Sequence, residues 1–267
     1  MKTIGTEDLK KIQLEIARHI DLFCKKHGIR YFICGGTLIG AIRHKGFIPW
    51  DDDIDIMMMR DDYERFICEY ASEDKSKYNI FHHCLNDKYP YPYAKISDSE
   101  TIFHEEIKES FELGVNIDVF PIDIVPEDTR MQNKMYRTAG KYMRIITLKR
   151  LPMANRRGIV KNAVLFVSHL LLSFISFKTI VHKLDRNASK YRHTSSSLCG
   201  VAVWGYGMRE INDMSNYDKS IYMPFENIKL PVPSGYDKYL RGIYGDYMQL
   251  PPKDKRMTHH HFKAYWK

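Results

Sequence analysis

Cysteine is scarce in this sequence, and no pair of cysteines has the spacing of a metal-binding or redox motif. The 267 residues include five cysteines, an odd number, and none of them forms a Cys-x-x-Cys pair. They are Cys24, Cys34, Cys68, Cys84 and Cys199. Isolated thiols are typical of a reducing compartment, and they exclude a disulfide framework and a zinc knuckle. The N-terminus also lacks the apolar core of a signal peptide. We therefore expect a cytoplasmic protein.

The sequence also lacks an apolar run long enough to cross a bilayer. One segment, residues 163–177, is an apolar run of 15 residues interrupted by three serines and a histidine, whereas a span needs about 20. We expect a buried core helix here, and a helix lying in the membrane interface is the alternative. Basic residues before the run (Arg156, Arg157, Lys161) and after it (Lys178) favour the alternative, because positive flanks suit an anionic lipid surface. Peripheral contact with the inner face of the cell membrane therefore stays open.

The composition is that of a folded, basic protein. Apolar residues make up 44% of the chain, which is enough for a sizeable core. The 41 basic and 33 acidic residues give a net charge of +8, which favours anionic partners. Internal repeats and low-complexity linkers are lacking, so we expect one compact unit, with an N-terminal part over residues 1–126 and a helical, aromatic-rich part over residues 127–267.

The hydrophobic periodicity predicts a mixed α/β (α+β) fold with a mostly helical C-terminal half. Apolar residues recur at helical spacing from Thr6, and Gly28 ends that helix. The remaining predicted helices are 37–44, 60–71, with Asp61 or Asp62 as its cap, much of the basic stretch 127–192, and 236–244. The predicted strands are 29–33, 53–58, 78–84, 93–97, 101–105 and 115–123. Residues 201–228 read as irregular.

Four aspartates stand close together in this chain: Asp51, Asp52, Asp53 and Asp55. Like charges at this spacing repel one another, so the cluster needs a neutralising partner. Residues 53–58 alternate as a strand does, and residues two apart on a strand point the same way, about 6.6 Å apart. Asp53 and Asp55 would therefore share a face, and so would Asp51. Such carboxylates can hold a hard divalent cation, whose open positions take phosphate oxygens.

The surroundings of this Asp-x-Asp pair strengthen a weak signal, since an isolated match also occurs in solvated acidic loops. Upstream, a strand runs into Gly35, Gly36 and Thr37 and then a helix, a turn whose free N–H groups can cradle phosphate. Downstream, Asp118 is a lone carboxylate in an apolar strand, which is costly unless it is paired or coordinated. A Gly-Gly turn, an Asp-x-Asp strand and a later strand aspartate resemble the nucleotidyltransferase fold.

Four longer blocks resemble the LicD family, in order and over nearly the whole chain. They are GGTLIGAIRHKGFIPWDDDIDIMMMRDDYERF from Gly35, AKISDSET from Ala94, GVNIDVFPID from Gly114 and PSGYDKYLRGIYGDYMQLPP from Pro233. The resemblance implies transfer of a phosphoalcohol from a CDP-activated donor to a hydroxyl of a lipid-linked glycan, with release of CMP. Bacterial members place phosphocholine on teichoic acid or lipopolysaccharide, and the animal relatives fukutin and fukutin-related protein transfer ribitol phosphate. The resemblance is nearest to the phosphocholine transferases of Gram-positive teichoic acid synthesis.

The resemblance also implies the metal and catalytic residues. Asp53 and Asp55 would be the first ligands of Mg²⁺ or Mn²⁺. Asp118 would be the third carboxylate, either a further ligand or the general base for the acceptor hydroxyl. Asp51 would ligate a second metal.

Further residues would bind the donor. Gly35, Gly36 and Thr37 would hold its phosphates. Three neighbouring side chains (Arg43, His44, Lys45) would offset its charge, unless the two cations merely pair with the aspartates. Lys95 would face a phosphate or, alternatively, protect a sheet edge.

The tail and the aromatic residues supply the last predicted contacts. Tyr247, Arg256 and His259 would close over a substrate. Trp204 and Tyr206 could hold the quaternary ammonium of choline by cation–π contact. A triple-histidine metal site at residues 259–261 is disfavoured, because no further ligand is suitably spaced.

Two other functions share part of this pattern. The same three carboxylates would serve transfer of a nucleoside monophosphate from a nucleoside triphosphate, and the CDP handle would equally present ribitol or glycerol phosphate. The net charge alone would also fit a nucleic-acid-binding module. The clustered aspartates would repel a phosphate backbone, so we expect no nucleic acid partner.

Overall fold

A computed structural model describes residues 1–105, 111–154, 158–257 and 262–267 of the chain. Within these residues, seven α-helices and eleven β-strands form a mixed α/β fold, which confirms the predicted class. The helices are α1 (Thr6–His27), α2 (Gly35–His44), α3 (Arg60–Glu73), α4 (Thr129–Arg150), α5 (Ile159–Leu172), α6 (Phe177–Ser189) and α7 (Tyr236–Tyr244). The strands are β1 (Phe32–Ile33), β2 (Asp55–Met59), β3 (Tyr78–Phe81), β4 (Ala94–Asp98), β5 (Thr101–Glu105), β6 (Asn116–Val125), β7 (Leu198–Gly200), β8 (Asn212–Asp213), β9 (Ser220–Phe225), β10 (Ile228–Pro233) and β11 (Phe262–Trp266).

The central sheet has the strand order β1-β2-β6-β4-β3, and β7 and β8 continue it beside the second half of β6. Only β2 and β6 run parallel among its described pairs. Both strands are rich in buried apolar residues, as strands covered on two faces must be. The parallel pairing matters for the site, because it brings the N-terminal ends of β2 and β6 to one edge.

The N-terminal half follows the sequence closely. Helix α1 buries its apolar stripe, and Gly28 ends it in the left-handed conformation at φ 63°. Several boundaries nevertheless differ from the prediction. Helix α2 begins at Gly35 and not at residue 37, so the predicted glycine turn is the first turn of the helix. Strand β2 begins at Asp55, so Asp53 precedes it. Helix α3 begins at Arg60 with Met59 as its N-cap, so Asp61 and Asp62 lie in the first turn, where carboxylates still complement the helix dipole.

The C-terminal half contains more strand than predicted. Strand β9 lies in the part predicted to be irregular, and it forms an antiparallel hairpin with β10, which begins at the last residue of that part. Prolines within both strands mask this hairpin in the sequence, and Glu226 makes its turn with a positive φ of 52°. The chain end adds β11, which pairs with β5 of the N-terminal half. The C-terminal half therefore completes the sheets as well as adding helices.

Helix α4 packs against both α5 and α6, and α6 contacts β6 of the central sheet. Helix α6 buries its apolar face. The prediction of a buried helix at 163–177 is wrong, because Leu165 is the one buried residue of α5. Helix α5 packs against α4, and no other described element covers its remaining apolar side chains. Within the described residues no single helix reaches the length and apolarity of a membrane span, and only α5 and α6 taken together, bent by 84°, meet that test.

Candidate active site

Strand register places two of the predicted carboxylates next to each other. Asp55 at the start of β2 pairs in register with Asp118 on β6, and Asp118 in turn pairs with Lys95 on β4. The three side chains therefore form a row across adjacent strands. They line a cleft of about 680 Å³. Asp51, Asp52 and Asp53 line the same cleft from the loop before β2.

The glycine pair at the start of α2 lets the loop carboxylates approach the helix N-terminus. A Cβ at Gly36 would lie 2.5 Å from Oδ2 of Asp51, which no side chain could tolerate without a shift. Gly35 has a φ of 56°, a conformation that suits glycine, and a Cβ there would meet the carboxylate of Asp55 at 3.8 Å. Thr37 is buried, and its hydroxyl accepts a hydrogen bond of 2.9 Å from the N–H of Asp55. Thr37 thus fixes the start of β2 and does not line the cleft.

The electrostatics of the cleft favour a bound cation. Burial raises the pKa of Asp55 well above its usual value, and the charges of Asp53 and Asp118 raise it further. Lys95 is the main group that lowers it. Clustered carboxylate oxygens are the ligands that Mg²⁺ and Mn²⁺ prefer, so the residues present fit such an ion.

Lys95 is buried and bound to the carboxylate row. Its ammonium group donates to Oδ1 of Asp118 and, at 3.0 Å, to Oδ1 of Asn116. It also lies 4.9 Å and 5.5 Å from the ring centres of Tyr91 and Tyr93. Strand β4 is internal to the sheet, so the alternative of an edge-protecting lysine does not hold.

Aromatic side chains form a second wall of the cleft. Tyr93 and Trp204 contact each other edge to face at 5.7 Å, and Tyr206 and Tyr244 do so at 5.1 Å. Trp204 and Tyr206 are 37% and 49% exposed, so their faces remain open to a ligand. The predicted pair Trp204 and Tyr206 is therefore present, and the structure adds Tyr93 and Tyr244.

Sequence reasoning missed one carboxylic acid in the cleft, Glu210. It is 4% exposed, and its Oε1 accepts a hydrogen bond of 3.1 Å from the N–H of Tyr206. Its Oε2 is buried without a hydrogen-bond partner among the described residues. Burial raises the pKa of Glu210 to about 7. Its neighbours in the sequence show neither strand nor helix periodicity, so no local pattern predicts that Glu210 is buried in the cleft.

Comparison with known proteins fits this arrangement. A family model described as "LicD/FKTN/FKRP, nucleotidyltransferase domain" matches residues 28–157. The lipopolysaccharide cholinephosphotransferase LicD of Haemophilus influenzae is 32% identical over an alignment that covers 99% of both chains. The chain belongs to the LicD family. A shorter stretch is 42% identical to the human ribitol 5-phosphate transferase FKRP over 48 residues, 18% of this chain and 10% of that protein.

Three residues of the longest LicD block lie beside the cleft and do not line it. Arg43 donates hydrogen bonds to the carbonyls of Tyr247 at 2.7 Å and Gln249 at 3.4 Å, and its Nε lies 2.9 Å from His44. Burial lowers the pKa of both Arg43 and His44. Lys45 ends α2 with φ 59°. In this LicD protein, Arg43 joins α2 to the C-terminal tail.

The two described tail residues of the predicted set, Tyr247 and Arg256, also lie outside the cleft lining. The hydroxyl of Tyr247 donates to Asp237 at 2.8 Å. Arg256 donates to the carbonyl of Pro251 and lies 5.6 Å from the ring centre of Trp50, which does line the cleft. His259 lies outside the described residues. Of the predicted set, the structure therefore gathers the four aspartates Asp51, Asp53, Asp55 and Asp118 with Gly35, Gly36 and Lys95.

Proposed function

We propose that this chain is a metal-dependent transferase that moves phosphocholine from CDP-choline to a hydroxyl of a lipid-linked cell-surface glycan and releases CMP. Membership of the LicD family supports a transferase of phosphate groups. The names of two relatives support a glycan-directed reaction, since one is a lipopolysaccharide cholinephosphotransferase and the other a ribitol 5-phosphate transferase. The observation that carries the proposal is the convergence of four aspartates and a glycine pair in one cleft.

Asp51, Asp53, Asp55 and Asp118 would hold Mg²⁺ or Mn²⁺. When bound, the ion neutralises the phosphate oxygens of the donor and polarises the phosphorus that is attacked. The fold holds these carboxylates in fixed positions. Asp55 and Asp118 are fixed by the pairing of β2 with β6. Asp51 is held against Gly36, and the backbone of Asp55 is tied to Thr37.

The donor phosphates lie at the N-terminus of α2 in this proposal. The helix begins at Gly35, and the first N–H groups of a helix have no partner within it. They carry partial positive charge and bind anions. Gly35 and Gly36 line the cleft, and the absence of side chains lets a phosphate approach the backbone closely.

The choline group occupies the aromatic wall. A quaternary ammonium cannot donate a hydrogen bond, so it is recognised by aromatic faces. Trp204 and Tyr206 offer exposed faces in the cleft, and Tyr93 and Tyr244 buttress them. Ribitol and glycerol carry hydroxyl groups instead and gain less from such a wall.

The acceptor hydroxyl must lose a proton, and two carboxyl groups outside the Asp51–Asp55 loop line the cleft. Asp118 contacts Lys95 and pairs in register with Asp55, which places it among the proposed metal ligands. Glu210 has a pKa of about 7, which suits a group that accepts a proton near neutral pH. We assign Asp118 as a metal ligand and Glu210 as the proton acceptor.

A thermal-shift panel tests the donor. The protein is heated with CDP-choline, CDP-ribitol, CDP-glycerol, CTP or ATP, each with and without Mg²⁺. A ligand that binds only the folded state stabilises it by RT ln(1 + [L]/Kd). We expect the largest Mg²⁺-dependent shift with CDP-choline. A larger shift with CDP-ribitol or CDP-glycerol would change the donor and keep the reaction class.

The released product distinguishes the remaining alternative, transfer of a nucleoside monophosphate from a nucleoside triphosphate, which the nucleotidyltransferase description of the family favours. Incubation with a glycan acceptor and CDP-choline should release CMP. Pyrophosphate release from CTP, without CMP release from any CDP-alcohol, would replace the proposed reaction with the alternative.

A further inference from the structure

We propose that α5 docks on an anionic lipid bilayer and that an adjoining groove along α4 receives the apolar chain of the lipid-linked acceptor. The second part rests on the proposed function, and the first does not. The starting observation is a continuous apolar surface on and just after α5, here called the α5 patch. Its members, with exposures of 52–89%, are Ile159, Val160, Val164, Phe166, Val167, Leu170, Leu171 and Phe174. Single exposed apolar residues are ordinary, but a patch of this size marks an interaction surface.

Charge identifies the partner of the α5 patch. Residues 129–190 contain fourteen basic residues and one acidic residue, Asp185, for a net charge of +13. The rest of the chain contains 27 basic and 32 acidic residues and carries −5. An apolar helix set in a basic surface matches a bilayer with anionic lipids, which attracts the charges and buries the apolar side chains. A second copy of this chain would bring +13 against +13, which disfavours self-association through this face.

Polar contacts hold α5 to the end of α4 and to the segment that follows α4, and Leu165 is the one buried residue of α5. The ammonium group of Lys149 donates to the carbonyls of Leu172 at 2.7 Å and Ile175 at 2.8 Å. His169 lies 3.0 Å from the carbonyl of Leu148, and Asn162 exchanges hydrogen bonds with the backbone of Ala154. With 14 residues, α5 is too short to span a bilayer and long enough to lie on one.

A groove leads from this region to the catalytic cleft. It has a volume of about 640 Å³ and is lined by Gly140, Met143, Arg144, Thr147, Leu148, Trp204 and Gly205. Trp204 and Gly205 also line the cleft, so the two spaces meet there. Leu148, at the other end, is the residue whose carbonyl lies against His169 of α5.

The lining of the groove fits an apolar chain with an anionic head. Met143 and Leu148 supply apolar surface, and the exposed Arg144 places a positive charge beside it. Gly140 is unusual inside a helix, where glycine costs about 1 kcal/mol relative to alanine. A Cβ at Gly140 would meet nothing within 4 Å, so packing does not require glycine there. A larger side chain at this position would instead fill the groove.

Vesicle sedimentation tests the docking surface without any donor or acceptor. The full chain is mixed with vesicles of phosphatidylcholine, with or without phosphatidylglycerol. We expect sedimentation only with the anionic vesicles, and a loss on the order of tenfold in affinity for Leu171→Ser and for Phe174→Ser. Leu22→Ser is the matched control, because Leu22 is 68% exposed on α1, away from the patch, and its removal should change nothing.

Three results would overturn the docking surface. They are equal binding to neutral and anionic vesicles, equal loss in the Leu22→Ser control, and no binding to vesicles. In the last case size-exclusion chromatography would show what covers the patch. A dimer that Phe174→Ser dissociates would assign the surface to a second copy of the chain.

Fluorescence quenching tests the groove independently of turnover. In a Trp50→Phe/Trp266→Phe background, Trp204 is the one remaining tryptophan. A phosphatidylglycerol with a brominated acyl chain should quench it, and Gly140→Leu should reduce that quenching several-fold while Gly140→Ala should reduce it little. Absent quenching, or equal quenching in both variants, would overturn the groove assignment. Quenching without CMP release in the product assay would instead show that the proposed reaction is wrong and the lipid groove is real.

Discussion

The carboxylate cleft and the helical segment 129–190 differ in the sign of their charge and in whether their apolar side chains are buried. In the cleft, acidic side chains converge on one space while the apolar residues of β2 and β6 are buried behind them. In the helical segment, basic side chains spread over the surface while the apolar residues of α5 face outward. Each region is incomplete in a different sense. The cleft concentrates like charge that a cation and phosphate would resolve, whereas the helical segment exposes apolar surface that a bilayer would cover.

An ion-pair network joins the helical segment to the sheet that carries the cleft. Arg60 at the start of α3 donates to both oxygens of Asp123 on β6 and, at 2.8 Å, to Asp185 on α6. Asp185 is the sole acidic residue of the segment 129–190. Through this contact Asp185 ties α6 to β6, the strand that carries Asp118.

The largest expected effect is the loss of activity when a carboxylate of the cleft is replaced and the helical segment is unchanged. Asp55→Asn would remove one of the proposed metal ligands but keeps the shape of the side chain. We expect CMP release to fall by about a thousandfold, because a catalytic metal supplies several kcal/mol of transition-state stabilisation. Steady-state assays with CDP-choline and Mg²⁺ measure this. Asp52→Asn, in the same loop, is the control and should lose far less.

The same substitution should not weaken the fold. Loss of hydration and the charges of Asp53 and Asp118 raise the pKa of Asp55, so neutralising Asp55 relieves repulsion in the metal-free protein. Thermal unfolding without metal should therefore show an equal or higher melting temperature for Asp55→Asn, and added Mg²⁺ should stabilise only the wild type. A lower melting temperature in the metal-free variant would show that Asp55 is structural.

The next effect is a loss of stability when the ion-pair network between the helical segment and the sheet is removed. Arg60→Met leaves Asp123, which is 1% exposed, as an uncompensated buried charge. Removing one partner of a buried pair costs about 3–5 kcal/mol. Urea unfolding should show this loss in the free energy of unfolding. Arg192→Met is the matched control, because Arg192 pairs with the exposed Asp61 and Glu64, and such surface pairs contribute about 1 kcal/mol or less.

A smaller effect appears in the pH dependence of stability and is traced to Glu210. Its pKa is raised to about 7 in the folded protein from 4.5. The folded state therefore binds more protons than the unfolded state between these values, and stability falls as the pH rises through this window. The loss amounts to about 3 kcal/mol in total. It is complete above pH 7 and absent below pH 4.5.

Glu210→Gln should remove that pH dependence while keeping the acceptor for the N–H of Tyr206. Unfolding measured at pH 5 and at pH 8 should differ less in the variant than in the wild type. If the two proteins lose stability equally between these pH values, another group is responsible. Turnover should also fall in the variant, and the limb of the pH–rate profile near pH 7 should disappear.

The sequence predicted the cleft better than the helical segment, for a physical reason. Asp55 and Asp118 lie on paired strands, and Asp51 and Asp53 lie in the loop just before β2, so strand pairing and this short loop bring the four together. Gly35 and Gly36 are recognisable because only glycine permits that approach. The register that sets Lys95 beside Asp118 depends on β4 crossing to β6, which no local pattern reveals.

The prediction of a buried helix at 163–177 is wrong because a local pattern does not show whether another element of the fold covers the helix. The apolar run 163–177 fits a buried helix and an interfacial helix equally well, and its exposure is set by which elements reach it in the fold. Likewise, the proximity of Arg43 and Lys45 to the glycine pair in the sequence predicts that both contact the donor phosphates. The geometry of the end of α2 instead turns Arg43 toward the tail at Tyr247 and Gln249. Contacts between distant segments decide such cases.

The smallest expected effect is a change in donor affinity at Trp204, where the cleft and the groove along α4 meet. Trp204→Ala removes an exposed aromatic face at 37% exposure, so a cation–π contact there is worth about 1 kcal/mol, or several-fold in affinity. We expect Kd for CDP-choline to rise several-fold, with little change for CDP-glycerol, which shares the CDP handle and lacks the ammonium. Isothermal titration measures both. Equal weakening of the two donors would mean that Trp204 shapes the cleft for the CDP group, and the choline specificity would then have to come from elsewhere in the aromatic wall.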